Sequence, residues 1–352
     1  MSTDTTSFPP LATSPATGHP PLATGQMPDA TKLVISNSPH IRGGETISKI
    51  MVHVFIALMP AALAAVWFFG LAALKVMVLC TIGCMVIEVL WNKAAKKPAG
   101  SWKDGSAALT GLLLAMNLSA GAPWWICILG SLLAIGLGKQ IFGGLGYNPF
   151  NPALVARVAL LIGFPQLMTT WVAPQAGKWF ACDALTGATP LAATGKDLAS
   201  ISDLFYGNVG GCLGETSALA LLIGGAFLLV RKLIKWQVPA SFIGTVALIT
   251  GIVHYVNPEM TPPALYHVLA GGLMIGAFFM ATDMVTSPMT ANGALIFGCG
   301  CGIITSVIRI WGGYPEGVSF SILFMNALTP LIDRYTIGKP FGYIRIKKEA
   351  AQ

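Results

Sequence analysis

The chain has 352 residues, of which 54% are hydrophobic and only 10% are charged, with a net charge of +7. Soluble domains carry about 25% charged residues, so the composition excludes an ordinary soluble protein. The basic balance does not indicate nucleic-acid binding, because Lys and Arg lie in short segments between apolar runs and form no basic patch.

Residues 1–36 are rich in Ser, Thr, Pro and Gly, and Pro9–Thr13 recurs as Pro20–Thr24. The segment lacks the charged start and the apolar stretch of a signal peptide. We therefore expect a disordered cytoplasmic tail, with the first crossing itself directing membrane insertion.

About ten apolar segments follow, and the sequence predicts an all-α integral membrane protein of about ten transmembrane helices. The third and sixth segments are short for a full span, so we expect them to be tilted, broken or partly re-entrant. In chain order the segments are 50–69, 72–91, 105–120, 124–142, 152–171, 216–231, 238–255, 264–282, 291–309 and 317–333.

Basic residues cluster before the first segment and after the second, sixth and tenth. With ten spans all four clusters fall on one side, which the positive-inside rule assigns to the cytoplasm. Both termini are then cytoplasmic, and the loop at 172–215 lies outside. Lys75 and Arg309 are exceptions near the outer ends of helices, where we expect them to snorkel.

Two stretches of the chain follow one pattern. Gly111 and Pro123 lie twelve positions apart, as do Gly276 and Pro288. Each stretch continues with a basic residue, a glycine pair and an asparagine, which are Lys139, Gly143–Gly144 and Asn151 in one and Arg309, Gly312–Gly313 and Asn326 in the other.

This pattern predicts two inverted five-helix halves, at 37–171 and 216–333, joined by the loop 172–215 and followed by a basic cytoplasmic tail at 334–352. Inverted repeats place a site near the midplane, built from interrupted helices. Chance similarity among low-complexity membrane helices is the alternative.

The string Asp183-Ala-Leu-Thr-Gly-Ala-Thr-Pro190 lies in the outer loop. On physical grounds alone an ordinary polar turn, with Asp and Thr capping the backbone, is the favoured interpretation. The other interpretation is esterification of the Thr189 hydroxyl by a phosphoryl donor, because this hydroxyl follows Gly187-Ala188 and is sterically open.

This string resembles the flavinylation motif of bacterial redox proteins, in which the last threonine receives FMN as a phosphoester from a flavin transferase outside the cytoplasm. Most of the chain beyond the tail resembles the D subunit of the Rnf electron-transport complex, a family paralogous to the B subunit of the sodium-pumping NADH:quinone reductase. Met284 departs from the pattern, which has Pro there. The strings that carry the likeness are Ser38–His40, Asn148–Ala153, Gly214–Ala218 and Phe279–Asp283.

The resemblance implies a fold similar to urea transporters, FMN on Thr189 within the motif residues Asp183, Thr186, Gly187 and Ala188, and a noncovalent riboflavin. It also implies a place in a six-subunit complex of the bacterial inner membrane, with a second flavinylated subunit and a periplasmic flavin loop. That complex couples ferredoxin–NAD oxidoreduction to Na⁺ or H⁺ movement.

Other polar residues are candidates for a flavin or ion site. The side-chain amides of three asparagines can bind the isoalloxazine edge or satisfy loop backbone, and acidic residues near lipid are functional candidates by default. For Asp283 a helix cap is the alternative, and Glu88 is interpreted as interfacial. The candidates are Asn117, Asn148, Asn151, Glu215, Thr216 and Asp283.

The five histidines show no metal spacing, and the seven cysteines lack the four-thiolate pattern of an iron–sulfur cluster. We therefore expect no metal site, although Cys182 and Cys212 share the outer loop and a disulfide between them is possible. No phosphate-binding loop and no Ser-His-Asp arrangement is present, and no catalytic residue is identified. The rival hypothesis is a solute transporter or channel of the same architecture without a redox role.

Overall fold

The computed structural model describes residues 46–96, 104–174, 176–177, 186–187, 191, 199–312 and 316–338. Most of these residues are helical. The α-helices are α1 Ile47–Ala94, α2 Ser106–Met116, α3 Trp124–Leu132, α4 Pro152–Gly163, α5 Pro165–Met168, α6 Ile201–Tyr206, α7 Ala218–Val230, α8 Gln237–Val256, α9 Ala264–Leu269, α10 Leu273–Ile275, α11 Ala291–Trp311 and α12 Val318–Thr336. Two π-helices, π1 Leu133–Gln140 and π2 Gly276–Met280, continue α3 and α10, and Leu213–Glu215 form a 3₁₀ turn.

Helix α1 contains the first two predicted segments. Its 48 residues would extend about 72 Å as one helix, more than twice the roughly 30 Å of a bilayer's apolar core. Gly70 interrupts it with φ 62° and ψ −145°, a conformation that only glycine adopts readily. The residues on either side of Gly70 therefore form two stretches, each long enough to span a membrane.

Two predicted segments are interrupted helices in the structure. Helix α2 ends at Met116, after 11 residues or about 16 Å. In the segment at 264–282, α9 ends at Leu269, Gly271 takes a φ of 71°, and the chain continues as α10 and π2. Both segments therefore place helix ends inside the fold.

The fifth segment is also shorter than the sequence pattern predicts. Helix α4 ends at Gly163, where Phe164 takes φ −136° and ψ 61° before Pro165. Proline disfavours the helical conformation in the residue before it, so the chain restarts as α5. The predicted extension to residue 171 is wrong, and Trp171–Val172 instead form a strand, β1, that pairs antiparallel with β2, Thr186–Gly187.

The fold is compatible with an integral membrane protein. Three helices, α1, α8 and α11, are long and apolar enough to cross a bilayer, and four shorter apolar helical stretches accompany them. Large apolar side chains lie on the outside of α1, where Leu63 is 63% and Trp67 is 56% exposed. An apolar exterior of this kind suits a lipid environment.

Small residues allow the helices to pack with their backbones close together. A Cβ on Gly224 of α7 would overlap the Ala57 carbonyl of α1, and one on Gly111 of α2 would lie 2.6 Å from the Cys80 carbonyl. Close approach at glycine is the usual contact between membrane helices, and here it fixes α2 and α7 against α1.

Candidate functional site

A cavity of about 100 Å³ is lined by residues of both predicted halves of the chain, which lie between Ile50 and Ala153 in the N-terminal half and between Leu228 and Val285 in the C-terminal half. Three predicted site residues, Asn148, Asn151 and Asp283, line it, together with Ser106 and Lys139. The rest of its wall is mainly apolar and comes from both halves. The cavity exceeds the space that one water needs, and these three of the six predicted polar residues share its wall.

Asn117 and Asn151 both lie in the N-terminal half of the chain, and their side chains contact Met280 at the end of π2 in the C-terminal half. The Asn151 side-chain oxygen caps α4, accepting from the amides of Ala153 (3.1 Å) and Leu154 (3.5 Å), while its Nδ2 donates to the Met280 carbonyl at 3.4 Å. The Asn117 Nδ2 donates to Leu113 O at 2.6 Å and lies 3.7 Å from Met280 Sδ. Both amides therefore satisfy protein groups, which is the alternative that the sequence left open.

Asn148 differs from these two asparagines. Its Nδ2 donates to the Phe150 carbonyl at 3.0 Å, but its buried Oδ1 has no hydrogen-bond partner among the described residues. A buried acceptor without a donor is costly. Because Asn148 also lines the cavity, its Oδ1 is the acceptor best placed to take a hydrogen bond from a ligand.

Asp283 follows π2 and acts as both cap and lining residue. Its Oδ1 accepts from the Val285 amide at 3.5 Å, and its Oδ2 accepts from the Thr286 hydroxyl at 3.3 Å. Burial raises the pKa of the Asp283 carboxyl above its usual value, and these bonds oppose the rise. The carboxyl therefore stabilises the turn and presents a titratable group to the cavity.

The interpretation of Glu88 as interfacial is wrong, because the side chain is completely buried. Lys139 Nζ lies 2.8 Å from Glu88 Oε1 and 2.6 Å from Ser106 Oγ, and the Gln140 side chain donates to Glu88 Oε1 at 3.1 Å. The π-helical end of the fourth segment supplies both Lys139 and Gln140. Two charges buried together are stable only when paired in this way.

A second buried ion pair joins the N-terminal half of the chain to the C-terminal half. Arg157 of α4, only 3% exposed, pairs with Glu316, which precedes α12. The same guanidinium donates to the Asn117 carbonyl at the end of α2 and lies 2.9 Å from Cys212 Sγ. Arg157 therefore neutralises the negative end of the short helix α2 and also connects α2 to the C-terminal half of the chain.

Cys212, Glu215 and Glu316 place three possible metal-ligand atoms within 4.8 Å of one another. The Arg157 guanidinium bonds to Cys212 and Glu316, so it takes the place that a cation would occupy. Burial raises the pKa of the Cys212 thiol to about 12, and Arg157 opposes the rise. In this arrangement the thiol is protonated at neutral pH and is paired with the Arg157 guanidinium.

Cys212 is a free thiol, so the disulfide with Cys182 that the sequence allowed is not observed; Cys182 lies outside the described residues. Glu215 and Thr216 bond locally: Glu215 Oε2 accepts from the Cys212 amide at 3.5 Å, and Thr216 Oγ1 donates to Leu213 O at 3.0 Å. Neither of these candidate residues lines the cavity, and Asn117 does not line it either. Both residues support the 3₁₀ turn.

Much of the flavinylation-like string, including Asp183, Ala188 and Thr189, lies outside the described residues. The backbone of Thr186–Gly187 forms β2 and pairs with β1. Two positions beyond Thr189, Leu191 packs at Gly271, where an added Cβ would lie 2.6 Å from Leu191 Cδ1. The described parts of the loop are therefore held at β1 and at the break between α9 and α10.

Arg309 stabilises the break between α9 and α10. This role corrects the expectation that its side chain snorkels outward. It donates to the carbonyls of His267 (2.5 Å), Ala270 (3.2 Å) and Glu316 (3.2 Å). Carbonyls at a helix end lack partners within the helix. The guanidinium supplies those donors and holds α9, the start of α10 and the segment before α12 together.

Comparison with known proteins decides the family. Residues 34–342 match the model of the NQR2, RnfD, RnfE family. The chain belongs to this family. It is 47% identical over 326 residues (90% of this chain, 98% of the relative) to the D subunit of the Na⁺-translocating ferredoxin:NAD⁺ oxidoreductase complex of Acetobacterium woodii. It is 46% identical over 320 residues (88% and 96%) to the D subunit of the proton-translocating complex of Clostridium ljungdahlii.

A third relative, the D subunit of an ion-translocating oxidoreductase complex of Escherichia coli, is 36% identical over 345 residues (88% and 98%). These relatives confirm the resemblance to the D subunit of the Rnf family.

The two buried ion pairs, Glu88–Lys139 and Arg157–Glu316, were not predicted from the sequence. For Glu88 and Lys139 a signal existed, because both lie near the C-terminal ends of the second and fourth apolar segments, which the predicted topology places on one side of the membrane.

Proposed function

We propose that the chain is the D-type membrane subunit of an ion-translocating ferredoxin:NAD⁺ oxidoreductase complex and carries electrons through covalently bound FMN. The observation that carries the proposal is the match along nearly the whole chain to subunits bearing that name. The string from Asp183 to Thr189 lies within the matched family region. The partners are the other subunits of a six-subunit complex, a second flavinylated subunit among them, a flavin transferase, and Na⁺ or H⁺.

The proposed architecture is ten transmembrane helices in two inverted five-helix halves. Equivalent contacts in the two halves support it: Lys139 donates to Ser106, the first residue of α2, and Arg309 donates to Ala270, just before α10. A glycine with positive φ lies beside each contact, Gly105 at 78° and Gly271 at 71°. The matching Gly-to-Pro spacings agree with this alignment of the halves.

We place the protein in the bacterial inner membrane with both termini in the cytoplasm. The distribution of Lys and Arg among the connecting segments supports this orientation. The loop at 172–215 is then periplasmic, on the side where a flavin transferase of the expected kind acts. Thr189 is the residue proposed to receive FMN, and the β1–β2 pairing and the packing of Leu191 give its loop two anchor points.

The cavity between the halves is the proposed place of a noncovalent riboflavin. A flavin supplies one-electron redox chemistry, and the protein supplies orientation. Asn148 Oδ1, which has no hydrogen-bond partner among the described residues, would accept a hydrogen bond from the flavin, and Asp283 lines the cavity from the other half. Asn148→Leu should release noncovalent flavin, whereas Asn117→Leu, which alters an amide outside the cavity lining, should retain it.

The proposed function is tested in membrane vesicles from a host that lacks this chain. Vesicles complemented with the wild-type chain should reduce NAD⁺ with reduced ferredoxin and accumulate Na⁺ or acidify, whereas Thr189→Ala should insert and assemble but lose both activities. Interrupted helices also suit the rival, a solute transporter. Unimpaired ferredoxin–NAD⁺ activity without the chain, together with solute uptake by the chain alone in proteoliposomes, would favour that rival.

A further inference from the structure

Lys139 contacts the buried carboxylate of Glu88 and also lines the cavity. Its ammonium pairs with Glu88 at 2.8 Å and bonds to Ser106 at 2.6 Å, yet Lys139 also lines the cavity between the halves. The residue is 1% exposed. The residue is therefore shielded from bulk solvent and forms part of the wall of a space that residues of both halves line.

The surroundings of this ammonium make its charge effective. Apolar side chains such as Leu109, Leu113 and Phe278 line the same cavity. In surroundings of low dielectric constant, charges interact far more strongly than in water. Glu88 offsets much of this charge, so the pair is stable by itself, and the positive potential that remains on the ammonium side acts on any negative charge that enters the cavity.

The charged groups around the cavity have a defined arrangement. Among the described lining residues, Lys139 supplies the basic side chain and Asp283 the acidic one, and they come from opposite halves. Glu88 contacts Lys139 but is not itself part of the lining. A ligand that becomes negative should therefore be stabilised at its Lys139 side.

We propose that Lys139 is the counter-ion for negative charge on the ligand of this cavity, and that its pairing with Glu88 limits how strongly it attracts that charge. The inference rests on the proposed function, which places a redox-active flavin there. Lys139 is then a positioning and tuning residue: it makes addition of an electron to the bound ligand more favourable, and Glu88 makes it less so.

The two partners are expected to act in opposite directions. Lys139→Gln should lower the midpoint potential of the noncovalent flavin, and Glu88→Gln should raise it because the ammonium is no longer offset. A tenfold change in the one-electron equilibrium corresponds to about 59 mV, and we expect at least this shift for Lys139→Gln. Lys139→Arg, which keeps the charge, should stay close to the wild type.

The measurement is a spectroelectrochemical titration of the purified complex. All variants are made in a Thr189→Ala background and expressed without the flavin transferase, so that covalent flavin contributes to the signal neither on this chain nor on the second flavinylated subunit. The double variant Lys139→Gln with Glu88→Gln removes both charges and avoids leaving one buried charge unpaired. Its comparison with Glu88→Gln isolates Lys139 even where Lys139→Gln alone does not assemble.

The outcomes separate the two proposals. Opposite shifts support the role of Lys139. Bound flavin whose potential is the same in Lys139→Gln and the wild type, or in the double variant and Glu88→Gln, overturns this role and leaves the proposed function standing. Equal downward shifts in both single variants indicate a purely structural pair and overturn it as well. Absence of noncovalent flavin from the wild-type complex refutes the second flavin of the proposed function, and the inference with it.

Discussion

The Arg157–Glu316 pair should be the strongest single connection between the two halves. Arg157→Met removes the ion pair, the bond to the Asn117 carbonyl and the contact with Cys212. Glu316 is left without its partner while its side chain is only 16% exposed. Breaking a buried pair from one side costs about 3–5 kcal/mol.

Glu316→Gln should cost less, about 1–3 kcal/mol, because Arg157 keeps the Asn117 carbonyl and the glutamine can still accept a hydrogen bond. For a chain of this size, each kcal/mol lowers the melting temperature by roughly 2 °C. At that rate we expect a decrease of about 6–10 °C for Arg157→Met. The assay is thermal unfolding of the detergent-purified protein, followed by the fluorescence of a thiol-reactive dye.

Arg231→Met is the matched control, because Arg231 is exposed and its side chain bonds to His53, which is not part of either ion pair. Substitutions at exposed positions usually change stability by less than about 0.5 kcal/mol. If Arg157→Met and Arg231→Met melt at the same temperature, the pair does not hold the halves together and the reasoning is refuted.

Two further predictions concern packing and thiol chemistry. Gly224→Ala should lower the melting temperature and yield, because the added Cβ would overlap the Ala57 carbonyl. The control Gly244→Ala should be neutral, because a Cβ there meets no described atom within 4 Å. Equal melting temperatures of the two variants would contradict the close α1–α7 contact. Cys212 should resist maleimide from about pH 7 to pH 9, because burial raises its thiol pKa to about 12, and should react once the protein is unfolded in detergent. Rapid labelling in the folded protein would contradict its burial.

Local patterns in the sequence predict the helices well. The apolar runs on either side of Gly70 identify both stretches of α1, and the short third segment does end as the interrupted helix α2. The early end of α4 has a sequence signal in Gly163-Phe-Pro165. The pattern of apolar residues outweighed it, because hydrophobicity continues beyond the point where proline stops the helix.

Tertiary contacts account for what the sequence does not predict. Glu88 and Lys139 are 51 positions apart, and Arg157 and Glu316 are 159 apart. The predicted topology places Glu88 and Lys139 on one side of the membrane but does not pair them, and no local pattern indicates that Arg157 meets Glu316. The asparagines show the same limit. Asn117, Asn148 and Asn151 have the same side chain, but only the fold places Asn148 at the cavity, with no donor to its Oδ1 in the described part of the chain.

The attachment of FMN to Thr189 is the central claim, and one measurement tests it most directly. The wild type, Thr189→Ala and the matched control Thr186→Ala are each expressed with an active flavin transferase and separated on a denaturing gel. The bands are imaged under ultraviolet light, and their peptides are mapped by mass spectrometry. The account predicts a fluorescent wild-type band with an FMN adduct on Thr189 and a dark Thr189→Ala band of equal protein amount. A dark wild-type band, with the transferase active on a control protein, or an adduct that persists in Thr189→Ala, would contradict it.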